Sequence, residues 1–74
     1  MSVVKTVYVR LLDEGVGVFR PTQAEFIEDG VYRLLPPTDY DPEDENWEFL
    51  PHQKVRCRDV RLQDAVRLVA VEAL

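Results

Sequence analysis

The chain has few of the residues that staple small proteins or carry out catalysis. It contains one cysteine, Cys57, and one histidine, His52, among 74 residues. A single cysteine excludes an intrachain disulfide, and the chain has no cluster of Cys and His that would predict a zinc site. We therefore expect neither a metal nor a cofactor, and the lone thiol fits a reducing cytoplasm.

Long apolar runs are also missing. The first ten residues, MSVVKTVYVR, have neither the apolar stretch nor the small-residue cleavage site of a signal peptide. No segment approaches the roughly 18 apolar residues that predict a membrane span. With 46% apolar and 31% charged residues, the composition is that of a globular protein. We expect one small cytoplasmic domain over residues 1–74, without membrane contact.

Basic residues are absent from residues 36–49, PPTDYDPEDENWEF, which we call the acidic loop. This segment contains the one tryptophan, Trp47, and six of the 14 acidic residues. The six are Asp39, Asp41, Glu43, Asp44, Glu45 and Glu48. The net charge of the chain is −5, so it lacks the cationic excess that tight nucleic-acid binding requires. Nucleic acid is therefore not the expected partner.

Residues 54–67 carry the opposite charge. Their two acidic residues, Asp59 and Asp64, are outnumbered by five basic ones. The basic residues are Lys54, Arg56, Arg58, Arg61 and Arg67. Opposite charges on one chain steer partners, and they permit a homodimer in which the acidic loop of one copy meets the basic segment of another.

Alternation of apolar and polar residues predicts strands before the acidic loop. Residues 3–12 alternate with one apolar face, as a half-buried strand does. A second strand is expected to start at Val16, with Val18 pointing inward. Arg20-Pro21 interrupts it, because proline cannot donate a ladder hydrogen bond, and this position is predicted to be an edge, a bend or a bulge.

Turn residues separate the following segments. Asp29-Gly30 is a strong hairpin signal and leads directly into a predicted strand over residues 31–35. Within the acidic loop, Asp41-Pro42 combines a helix N-cap with proline at the first helical position and predicts one helical turn up to Asn46. Residues 47–49 resume an extended pattern, with both aromatic residues on one face.

The C-terminal third allows two interpretations. Residues 54–58 alternate as a half-buried strand with a basic outer face. Val60 and Leu62 point inward if a bulge near Asp59 resets the alternation, and Gln63-Asp64-Ala65 would then form a turn into a final strand over residues 67–73. The apolar residues of 60–73 also fall at helical spacing. The strand is favoured because a small barrel needs a strand to close it. A helix there would make the fold α+β instead of all-β.

Several phrases of the chain carry a resemblance to known proteins. They are VYVRLLDEG, FRPTQAE, DGVYRLL, DYDPEDENWEF and KVRC, and together they span most of the chain. This pattern resembles a group of short bacterial proteins of unassigned function with a five-stranded SH3-like small barrel. Phe19 stands where that group is expected to have tryptophan. The resemblance implies a fold and a prokaryotic source, and it transfers no activity.

Catalytic and metal-binding patterns are weak. A dyad of Cys57 and His52 is conceivable, but a buried thiol beside an unrelated surface histidine is the simpler interpretation. The spacing of Asp39, Asp41 and Glu43 resembles a calcium loop, but the required glycine and the closing glutamate are replaced by Asp44 and Leu50. We therefore expect no enzymatic activity.

The acidic loop remains as the expected working surface. Its carboxylates and aromatic residues are typical of a protein-binding module with a basic protein partner that the sequence does not identify. The expected partner-binding residues are Asp39, Tyr40, Asp41, Glu43, Asp44, Glu45 and Trp47. Trp47 could belong to the core instead of the surface. The alternatives are an immunity or inhibitor protein that mimics nucleic acid, and weak nucleic-acid binding through residues 54–61.

Overall fold

A computed structural model of the chain describes residues 3–15 and 17–74, and no helix occurs among them. The all-β prediction is confirmed, with six strands rather than five. The strands are β1 (Val4–Leu12), β2 (Phe19–Glu28), β3 (Val31–Leu34), β4 (Asn46–Trp47), β5 (Lys54–Leu62) and β6 (Ala65–Ala73). The expected start of the second strand at Val16 lies outside the described residues.

Five of these strands form a closed ring of pairings. β1, β2, β3, β5 and β6 pair in that order, each antiparallel to the next, and β6 pairs back to β1. In a meander with an odd number of strands, the first and the last run in the same direction. The closing pair is accordingly parallel, and it consists of one bridge between Tyr8 and Val69.

β2 is the strand that turns the corner between two neighbours. Its residues Phe19 to Glu25 pair with β1, and from Ala24 onward it pairs with β3. The strand runs through Pro21 without a break, so the expected interruption does not occur. The edge interpretation of Pro21 is correct, because among the described strands this part of β2 pairs with β1 alone.

The helical alternative for residues 60–73 is wrong. β6 pairs with β5 over eight residue pairs, from Val55 opposite Ala73 to Leu62 opposite Ala65. The expected bulge near Asp59 is also absent, because the register is continuous from Cys57 to the end of β5. The register shifts at two other positions. Ile27 of β2 has no paired residue in β3, and Val71 of β6 has no paired residue in β5.

The core fills the interior of the ring. As expected, Val7, Val9 and Leu11 of β1 are buried, whereas Val18 is exposed. The other strands contribute Ala24, Tyr32, Leu34, Trp47, Val55, Cys57 and Ala70. No helix long and apolar enough to cross a membrane is found in the part of the chain that the structure describes.

Candidate protein-binding site: the acidic loop

The end of the acidic loop is fastened to β1. Trp47 lies opposite Leu11, and Asn46 lies opposite Leu12, in a two-residue antiparallel pairing. The backbone N–H of Glu48 donates to the carbonyl of Arg10 at 2.9 Å. An antiparallel pairing of two residues is weak in isolation. The buried side chain of Trp47 therefore contributes most of the stability of this attachment.

Trp47 belongs to the core, with 2% of its surface exposed. This settles the choice that the sequence left open, and it removes the indole from the surface that a partner would touch. Tyr40, expected to bind a partner, is half-buried and packs against the core cluster. Its ring lies edge-on to that of Trp47, with the centroids 4.9 Å apart. Edge-to-face geometry is favourable for aromatic pairs.

Asp41 organises the turn between these two aromatic residues. Its Oδ1 accepts a hydrogen bond from the backbone N–H of Glu43 at 2.9 Å. Its carbonyl accepts hydrogen bonds from the N–H groups of Asp44 and Glu45, both at 3.0 Å. These are the bonds of a capped helical turn, as predicted, but the chain does not continue it into a helix.

Arg20 holds the two sides of this turn together. Its guanidinium Nη2 lies 2.5 Å from Oδ1 of Asp39, and its Nε lies 3.6 Å from Oε1 of Glu45. The longer distance is an ion pair without a hydrogen bond, so the buried Nε has no hydrogen-bond partner in the part of the chain that the structure describes. The role of Arg20 was not predicted from the sequence, because Arg20 precedes Asp39 by 19 residues and no local pattern links them.

The seven residues predicted to bind a partner therefore separate into two groups. Trp47 and Tyr40 anchor the loop by packing, and Asp39 and Glu45 anchor it through Arg20. The second group comprises Asp41, Glu43 and Asp44, which are all exposed and form no ion pair within the described residues. We call these three residues the loop tip. No cation of residues 3–15 or 17–74 forms an ion pair with their negative charges.

The basic segment is less uniform than its sequence indicates. Arg56 pairs with Glu72 of the neighbouring strand, with Nε 3.5 Å from Oε2. Lys54, Arg58 and Arg61 are exposed, and none of them forms an ion pair in the described part of the chain. The basic surface is therefore interrupted at Arg56, whose charge is neutralised by Glu72. Lys54 and Arg58 on either side of it have no ion-pair partner among the described residues.

Cys57 and His52 do not show the features of a catalytic pair. The thiol is buried, and this burial raises its pKa to about 11, so it is protonated near neutral pH. A catalytic cysteine needs the opposite shift. His52 is exposed in a turn with φ of 73°. Within residues 3–15 and 17–74, no three His, Cys, Asp or Glu side chains group closely enough to hold a metal ion.

No family model, curated protein or solved structure matches this chain.

Proposed function

We propose that this chain is a non-enzymatic protein-binding module that presents the acidic loop to a basic protein partner. The observation that carries the proposal is the loop tip, whose three exposed carboxylates have no ion-pair partner among the described residues, while the residues around them are fastened. A surface held in place before binding loses less conformational entropy when it binds. Unpaired surface charge of one sign also speeds encounter with an oppositely charged partner.

We extend the proposal to the fold and its setting. A five-stranded ring built as a meander supports an SH3-like small barrel, and the sequence phrases support membership in a group of short bacterial cytoplasmic proteins. In such a domain the strands form a rigid frame, and the long loop supplies the contact surface.

The experiment is capture on an array of Lys- and Arg-rich peptides. The wild type is compared with the triple variant Asp41→Asn, Glu43→Gln, Asp44→Asn, in which the turn keeps a cap because asparagine is as good an N-cap residue as aspartate. The matched control neutralises three acidic residues outside the loop by Glu14→Gln, Glu28→Gln and Asp29→Asn, so the net charge of both variants is the same. We expect capture to be lost with the loop variant and retained with the control. Equal capture by both variants would contradict the proposal.

The two alternative functions have distinct signatures. An inhibitor that mimics nucleic acid would use the same loop tip, and it would bind a DNA-binding enzyme with steep salt dependence and compete with DNA. Direct nucleic-acid binding would instead use Lys54, Arg58 and Arg61, which are exposed and form no ion pair with the described residues. Gel retardation of DNA or RNA at low salt, lost on changing these three residues to Gln, would favour that function.

A further inference from the structure

A groove separates the outer face of β1 and β2 from the far end of the β5–β6 hairpin. It is open to solvent and has a volume of about 720 Å³, with Tyr8 and Phe19 on one side and Arg61, Leu62 and Arg67 on the other. Its origin lies in the topology. β3 pairs with β5 only from Lys54 to Arg56, and β6 pairs with β1 at Val69, which lies opposite Arg58. The part of the hairpin beyond Arg58 and Val69 therefore extends past the ring.

The groove combines aromatic rings with unneutralised cations. The guanidinium of Arg67 lies over the ring of Tyr8, 5.5 Å from its centroid, which is a cation–π contact. Arg10 lies opposite Phe19 in the β1–β2 ladder and is exposed. Arg10, Arg61 and Arg67 form no ion pair with the residues that the structure describes. One carboxylate, that of Asp64, lines the groove.

These features suit an anionic turn as the occupant. Guanidinium groups bind carboxylates through paired, charge-assisted hydrogen bonds, and the rings of Tyr8 and Phe19 provide an apolar floor. A long polyphosphate fits less well, because few cations are available to it: Arg10, Arg61 and Arg67 are accompanied by the carboxylate of Asp64. The occupant is therefore expected to be short and to carry two or three carboxylates.

We propose that the groove of one molecule receives the loop tip of a second copy of this chain. This inference rests on the proposed function, because it names the partner of the same loop. Charge complementarity supports it: the three loop-tip carboxylates and the arginines at the groove are all exposed, yet no ion pair joins them among the residues described in one molecule. In a two-fold dimer each copy would donate one loop tip and offer one groove, so that both surfaces are satisfied.

A charge-swap experiment tests the dimer by sedimentation equilibrium at low salt. One variant reverses the loop tip with Glu43→Lys and Asp44→Lys. A second variant reverses the groove with Arg61→Glu and Arg67→Glu, and a control carries Glu14→Lys and Glu28→Lys. We expect the wild type and the control to dimerise, and the dissociation constant to rise about 100-fold in each of the other two variants. An equimolar mixture of those two should form a heterodimer, because both contacts are again between opposite charges.

The outcomes that would contradict the dimer differ from those that would contradict the proposed function. Circular dichroism first establishes that each variant is folded. A wild type that stays monomeric, or a mixture of folded variants that does not associate, would overturn the second copy as partner. If the monomer still captures basic peptides through the loop tip, the proposed function stands alone. Binding of a single-stranded oligonucleotide by that monomer, lost on changing Arg61 and Arg67 to Glu, would reassign the groove to nucleic acid.

Discussion

The ring of Tyr40 stands edge-on to the ring of Trp47, with an angle of 66° between their planes. The two residues flank the loop tip in sequence, and both pack on the core. The exposed carboxylates are therefore carried by a short segment whose two ends are fixed by one aromatic pair. This arrangement explains how a loop so rich in like charges keeps a defined shape.

Removing the anchor should unfold the protein. Trp47→Ala is expected to cost about 3–5 kcal/mol, as for other large buried aromatic residues. A domain of this size has roughly 3–5 kcal/mol of stability in total. Trp47→Phe should cost clearly less, because the buried Nε1 of Trp47 has no acceptor among the described residues and no hydrogen bond to them is lost. Urea unfolding followed by far-UV circular dichroism checks both values, and a Phe variant as unstable as the Ala variant would be the contrary result.

Arg20→Gln should loosen the loop more than it destabilises the fold. Both partners of Arg20 lie in the acidic loop, and Asp39 is largely exposed, so we expect a loss of only about 1 kcal/mol in the free energy of unfolding. Hydrogen exchange at the amides of Asp44 and Glu45 should become faster. The matched control is Arg33→Gln, which removes an ion pair with Glu25 outside the acidic loop and should leave those amides unchanged. Unaltered exchange in the Arg20 variant would show that Arg20 does not hold the turn.

The sequence predicted the strands better than it predicted the site. Local alternation was sufficient for β1 and for the inward faces of Val55 and Cys57, because the period of two reports burial directly. The apolar residues of 60–73 fitted both the period of a strand and the period of a helix. The segment forms a strand because it pairs with β5, and that pairing is a long-range interaction. The roles of Arg20 and Trp47 depend on contacts with distant segments. No local pattern indicated that Arg20 pairs with Asp39 and Glu45, and the sequence left open whether Trp47 belongs to the core or to the surface.

The burial of Cys57 predicts a loss of stability at alkaline pH. Its pKa is raised from 9.0 to about 11 in the folded state, so the unfolded chain releases the thiol proton at lower pH. The stability that the protonated thiol contributes is fully present below pH 9 and is lost as pH rises toward 11. Comparing the pH dependence of urea unfolding in the wild type and in Cys57→Ala isolates this effect from the other titrating groups. The wild type should lose more stability than the variant over this range, and parallel curves would contradict the assignment.

Replacing Gly30 in the hairpin turn is expected to lower the free energy of unfolding through backbone strain alone. Gly30 has φ of +77°, and an added Cβ would lie 3.9 Å from the carbonyl oxygen of Cys57, which is ordinary contact. Gly30→Ala should therefore cost roughly 1–2 kcal/mol from backbone strain alone. Gly30→Asn should cost less, since asparagine tolerates the left-handed region. Thermal unfolding of the two variants provides the comparison, and equal losses would indicate that crowding rather than φ decides.

The most direct test of the central claim is a nuclear magnetic resonance titration of the labelled protein with a Lys-rich peptide at low salt. We predict that the amide shifts concentrate in residues 39–48. They should disappear in the triple variant Asp41→Asn, Glu43→Gln, Asp44→Asn and persist in the control Glu14→Gln, Glu28→Gln, Asp29→Asn. Shifts that spread evenly over the surface, or that weaken equally in both variants, would mean that the peptide senses only net charge, and the acidic loop would not be a binding site.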